Sequence, residues 1–267
     1  MTSLPLRIAS AALRRPPDRF HYGEHPRQVA DLHMPREPGP HPVVIVLHGG
    51  YWQPPYTRLV TRPLCLDLVR RGYAACNVEY RRLGRDGGGW PQTFQDVAQA
   101  IDHLATIEDD SLDLARVTLL GHSAGGQLAL WAAGRAGLPP GAVGSAPVVR
   151  AVGVAALAAV SDLEAAGEPA RALLGGGPTA VPGRWAQADP MRRLPLDVPV
   201  GLVHAVDDET VSVERSREYA AAARAAGGRV SLTEAPGGHR DPINPSSRAW
   251  AAAAAWLDVN LARYASP

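Results

Sequence analysis

A chain of 267 residues, 46% hydrophobic and 20% charged, is long enough to bury one full core, and no break in composition demands a second domain. Its 27 basic and 26 acidic residues leave a formal net charge of +1, which gives no electrostatic case for nucleic acid or an anionic membrane surface as partner. Cys65 and Cys76 make neither a disulfide framework nor a metal spacing, no N-terminal run reads as a signal peptide, and no apolar stretch is long enough to span a bilayer, so a cytoplasmic protein is expected.

In chain order, residues 1–26 are rich in Pro, Arg and His and read as an irregular arm with a short helix near Pro5 to Leu13. Gln28 to Met34 alternates loosely before a proline-rich turn and reads as an edge strand. Val43 to Leu47 is a run of aliphatic residues, mostly β-branched, as expected of a strand buried on both faces. A helix is expected within Arg58 to Arg71, its regular part starting near Pro63 and ending at Gly72, and is followed by a buried strand over Tyr73 to Val78. An amphipathic helix over Gln92 to Leu104, a strand over Arg116 to Leu120, a helix over Gln127 to Arg135 and a strand over Ala151 to Leu157 come next. Residues 161–197, with Gly175-Gly176-Gly177-Pro178, read as a short cap-like insertion of small helices and turns. The chain closes with a strand over Val200 to Val206, a helix over Val213 to Ala226, a strand over Val230 to Glu234 and a helix over Ser246 to Tyr264. Alternating strands and helices imply a single α/β domain, residues 1–267, with a mostly parallel sheet of about seven or eight strands, helices on both faces, and ligands bound beyond the carboxyl ends of the strands.

Chemistry-bearing residues fall at those ends. Gly121-His122-Ser123-Ala124-Gly125 joins strand to helix in the G-x-S-x-G pattern, whose glycines permit a turn tight enough to expose the serine hydroxyl. His48-Gly49-Gly50-Tyr51-Trp52 follows the central aliphatic strand, where backbone N–H groups of Gly50, Tyr51 and Ala124 are the expected donors to an oxyanion; whether Gly50 or Tyr51 points inward is open. A serine needs a base oriented by a carboxylate. Asp207 and Asp208 stand after one late strand and His239 after the next. His48 and His122 are expected to brace the loop and the elbow by hydrogen bonds. Tyr51, Trp52 and Trp90 are expected to wall an aromatic-lined acyl or alcohol pocket. No pair of the nine histidines has zinc spacing, so neither metal nor cofactor is expected.

With these motifs in order, the chain resembles the α/β-hydrolase superfamily from about residue 28 to the last helix. His-Ala-Val-Asp-Asp-Glu-Thr-Val-Ser resembles that family's H-G-x-x-D-x-x-V-P, and on this alignment Asp208 is the acid partner, Ser123 the nucleophile and His239 the base. His-Gly-Gly-Tyr-Trp is similar to the HGGxW motif of kynurenine formamidases (arylformamidases) and related esterases, and Asn77-Val78-Glu79-Tyr80-Arg81 is similar to the N-x-x-Y-R segment of the same broad group. The resemblance implies a serine hydrolase acting on a small carboxylic ester or aryl formamide through an acyl-enzyme, with activity rising as His239 gives up its proton. A ligand-sensing protein of the same fold, and a small peptidase of prolyl-oligopeptidase type, are the competing expectations.

Overall fold

The computed structural model describes residues 16–262, so the helix expected near Pro5 to Leu13 lies outside the described residues. Eight strands form one sheet: β1 (Asp18–His21), β2 (Val29–His33), β3 (His41–Leu47), β4 (Ala74–Val78), β5 (Leu112–His122), β6 (Ala151–Leu157), β7 (Val200–Ala205) and β8 (Val230–Ala235). Their spatial order is β1-β2-β4-β3-β5-β6-β7-β8, with β1 and β2 antiparallel to their neighbours and every other pairing parallel. This is the mostly parallel sheet of the α/β-hydrolase fold.

The helices are α1 (Arg62–Arg70), α2 (Gln92–His103), α3 (Ala124–Ala133), α4 (Leu163–Ala166), α5 (Glu168–Leu174), α6 (Pro182–Ala188), α7 (Val213–Ala225) and α8 (Arg248–Ala262). Strand β3 explains why both faces need covering. Val43, Ile45 and Leu47 pack with Phe94, Val97, Leu128 and Tyr219 of α2, α3 and α7, while Val44 and Val46 pack with Leu64, Leu68 and Trp250 of α1 and α8. The segment read as an insertion forms α4, α5 and α6. Among the described residues, no helix is long and apolar enough to cross a membrane.

Two readings of the sheet edge change. The stretch read as an irregular arm contributes β1, and β2 is therefore an interior strand rather than an edge. Strand β1 is short and mostly exposed, so it lacks the aliphatic signature; Arg19 pairs with Asp31 directly across the ladder at 2.7 Å.

Candidate active site

Parallel strands β3, β5, β7 and β8 all deliver their carboxyl ends to one edge of the sheet, which gathers four loops into a single crevice. Ser123 sits between β5 and α3 at φ 55° and ψ −119°, a strained backbone for a residue with a Cβ. The glycines around it are required by contact. A Cβ on Gly121 would strike the carbonyl of Gly125, and one on Gly125 would lie 2.7 Å from the carbonyl carbon of His48. Helix α3 is thereby pressed onto the ends of β3 and β5, and its first N–H groups, beginning with Ala124, have no acceptor within the helix.

The loop after β3 lies against this elbow, for a Cβ on Gly49 would stand 3.0 Å from that of Ser123. Gly50 has φ +118° and abuts Tyr56, so no other residue fits there. Its carbonyl accepts from Gln53 N–H at 2.9 Å, closing a turn in which both central residues, Tyr51 at +53° and Trp52 at +57°, are left-handed. That turn swings Trp52 inward until it is 1% exposed, and leaves Tyr51 39% exposed.

Behind the loop stands a buried carboxylate. Glu79 meets His48 Nε2 at 3.1 Å through Oε1 and accepts the Arg58 N–H at 3.1 Å through Oε2, with the Arg58 and Arg82 guanidinium groups 3.7 and 3.9 Å away. Burial opposes its ionisation, but the bonds and charges of His48, Arg58 and Arg82 outweigh burial and hold the carboxyl below its ordinary range. Tyr80 donates to the His48 carbonyl at 2.6 Å and stacks on its ring at 4.4 Å. Arg82 also donates to the Tyr56 carbonyl, fixing the loop that carries Tyr56. Within the N-x-x-Y-R segment, Asn77 and Tyr80, with Glu79 between them, thus brace the loop after β3, while Arg81 pairs with Asp96 at 2.6 Å. Asn77 donates to the Arg58 carbonyl at 2.8 Å and accepts from Thr61 at 2.8 Å.

Across the crevice, His239 Nδ1 donates to Asp208 Oδ2 at 2.7 Å. The other oxygen, Oδ1, accepts from the N–H groups of Thr210 and Val211 at 2.8 and 2.9 Å. His204, buried in β7, brings Nε2 to 3.2 Å from Oδ2 while donating to the Val211 carbonyl at 2.8 Å, and its Nδ1 takes a hydrogen bond from Ser216 at 2.7 Å. Burial again disfavours the charge, yet the bonds from His204, His239 and Val211 prevail and keep Asp208 far below the usual carboxylate range. Asp207 does not share in this: it is exposed, and its N–H donates to the Gly237 carbonyl. His122 Nε2 donates to the His239 carbonyl at 2.8 Å, with the two rings 4.7 Å apart. Burial first, then the neighbouring His239, pushes the His122 imidazole down to about 3.

Ser123 and His239 open onto the same cavity of about 540 Å³, together with Gly49, Gly50 and His122. Its remaining wall is aromatic and aliphatic, from Tyr51, Tyr56, Val60 and Ile243, with Thr210 and Arg240 as polar members. A second hollow of about 490 Å³ shares Tyr51 and Thr210 and continues to Asp162, Pro169 and Arg215. A separate cavity of about 430 Å³ near Gly134, Arg193 and Leu196, by the amino ends of β6 and β7, carries none of these residues.

The sequence-derived residues Ser123, His239, Gly50 and Tyr51 therefore meet at one cavity, with Asp208 bonded behind His239 and Ala124 heading α3. Trp52 and Trp90 do not line it. Trp52 is turned into the core, and Trp90 packs on Phe94, ring centroids 5.0 Å apart, while its N–H is tied to the Leu173 carbonyl of α5. Tyr51, the third expected wall residue, does line the cavity, and Tyr56 joins it in the aromatic wall. Tyr56, Arg240 and His204 were not evident from the motifs, though His204 opens the H-x-x-x-D string and could have been read as a partner of its aspartate. Among the described residues no group of three or more His, Cys, Asp or Glu is placed to hold a metal ion.

The family model described as BD-FAE matches residues 30–222. No curated protein matches the chain in sequence. Among solved structures, the propionate-bound thermophilic esterase Est2 of the planctomycete Thermogutta terrifontis superposes with a TM-score of 0.74 at 22% identity, covering 93% of this chain and 94% of that one. The same esterase phosphonylated by sarin gives 0.73 at 22% identity, covering 93% and 95%. A truncated carbohydrate esterase from gut microbiota gives 0.76 at 17% identity, covering 92% and 97%. At such identities the likeness is one of fold.

Proposed function

Since the chain belongs to the BD-FAE family, whose model spans most of its length, we propose that it is a serine hydrolase that cleaves small carboxylic esters through an acyl-enzyme. The observation that carries this reading is the Asp208–His239 bond of 2.7 Å delivered to the cavity that Ser123 lines. Ser123 Oγ attacks the ester carbonyl while His239 Nε2 takes the hydroxyl proton. The new C–O bond turns the carbonyl oxygen into an oxyanion, received by the N–H of Ala124 and by Gly50 or Tyr51. Collapse expels the alcohol with the proton from His239, and a water deprotonated by the same imidazole then releases the acid. Asp208 fixes the His239 tautomer and stabilises the imidazolium.

Similar structures support a short acyl group: the Thermogutta esterase is seen with propionate and with butyrate, and its modification by sarin and paraoxon is the chemistry of an activated serine. Aryl formamide hydrolysis is the second reading, favoured by the tyrosines in the cavity wall. It stands behind the ester reading because Trp52, half of the Tyr-Trp pair that suggests it, faces the core.

The deciding assay compares purified chain and Ser123→Ala on p-nitrophenyl acetate and N-formylkynurenine. The expected result is Ser123-dependent turnover of the ester with a kcat/KM above that on the formamide. Equal product release by both proteins on both compounds overturns the hydrolase, and a higher kcat/KM on the formamide reverses the order of the two readings.

A further inference from the structure

One charged side chain in the cavity wall has no role in the chemistry above. Arg240 directly follows the base, is exposed and lines the crevice, yet its guanidinium makes no hydrogen bond or ion pair with any described residue. Its acidic neighbour forms no ion pair with it: Asp241 turns Oδ2 to the Gly238 N–H, which it accepts at 2.8 Å. Among the described residues no carboxylate lines this cavity, while Tyr51, Tyr56, Val60 and Ile243 give the rest of its wall an apolar character. Other arginines around the site are occupied. Arg58 is bonded to Asp31, Arg82 to Asp86, and Arg215, beside the adjoining hollow, to Glu218.

An unpaired guanidinium beside a reacting centre is a ready partner for an anion, because its planar fork matches a carboxylate and needs no competing ion pair to be broken. We infer that Arg240 selects substrates: the preferred esters carry a carboxylate on an aromatic or apolar body, with the anion at Arg240 and the body against Tyr51 and Tyr56. The inference rests on the esterase reading and narrows its substrate class. An exposed pair of this kind supports a preference of about fivefold in kcat/KM, weakened by salt.

The test uses an isosteric pair, 3-acetoxybenzoate and 3-acetoxybenzamide, which differ in charge but share acyl group and ring. Wild type is expected to favour the acid by about fivefold. The ratio should fall to near one in Arg240→Gln and below one in Arg240→Glu, with circular dichroism verifying the fold of both. A wild-type ratio at or below one, or a ratio unmoved by either substitution, overturns the assignment while leaving the esterase intact. If neither ester shows Ser123-dependent turnover, the esterase reading fails separately, and calorimetry with the products decides the anion site. Tighter binding of 3-hydroxybenzoate than 3-hydroxybenzamide, abolished in Arg240→Gln, sustains it; equal binding refutes it.

Discussion

Around Ser123 the chain is held by backbone packed on backbone, whereas around His239 it is held by hydrogen bonds to one carboxylate. The elbow side has glycines pressed on carbonyls and a buried Glu79 joined to His48, Arg58 and Arg82. The base side has Asp208 accepting from two backbone amides and approached by two imidazoles. The contrast teaches that damage should take different forms: loss of fold on the first side, loss of chemistry within an intact fold on the second.

Asp208→Asn is the largest expected effect and the most direct challenge to that division. An amide cannot accept from both imidazoles and from Thr210 and Val211 at once, so kcat should drop about 10⁴-fold, with the fold retained at a cost of about 1–3 kcal/mol. A loss below tenfold would mean that the carboxylate does not orient His239. Gly125→Ala comes next: its methyl group meets the His48 carbonyl, and a cost of about 4 kcal/mol is expected in urea unfolding. The control is Gly183→Ala in α6, where nothing lies within 4 Å of the added methyl and stability should hold or rise by up to about 1 kcal/mol. Glu79→Gln removes a fully buried carboxylate from its bonds with His48 and the Arg58 N–H and should cost about 3 kcal/mol. Unchanged stability with reduced kcat would move Glu79 to the other side of the comparison.

The smallest effect sharpens the account of Asp208. Asp189, closing α6, also accepts two backbone N–H groups, from Leu163 and Met191 at 3.2 Å, but has no imidazole, and burial pushes it up to about 6. Its folded-state pKa lies above the ordinary carboxylate value, so the stability it contributes is present at low pH and lost as pH rises through about 6. Asp189→Asn should therefore stabilise the protein by about 1–2 kcal/mol at pH 8 and not at all near pH 3.5, read from melting temperatures across that range. A benefit that persists into acid would assign the effect to packing.

The parts of the molecule that were legible are those with a local cause. VVIVL announces a strand buried on both faces, and the glycine spacing around Ser123 announces close packing before any partner is known. Strand β1 was not legible, because Asp-Arg-Phe-His earns its place from the ladder with β2 and not from burial. The tryptophans misled for another reason: residue type cannot say whether an aromatic ring lines a core or a cavity. Two left-handed residues decided it, sending Trp52 inward and leaving Tyr51 at the mouth. Tyr56, Arg240 and His204 depend on loops meeting across the sheet edge, and no spacing within one segment carries that information.

The bond from His122 to the His239 carbonyl joins the two sides without touching a reacting atom. It ties the loop after β8 to the strand before Ser123, so a displacement of one is passed to the other through a single hydrogen bond. On the ester reading proposed above, fitting bulkier substrates then falls to the tyrosine mouth rather than to the spacing between Ser123 and His239.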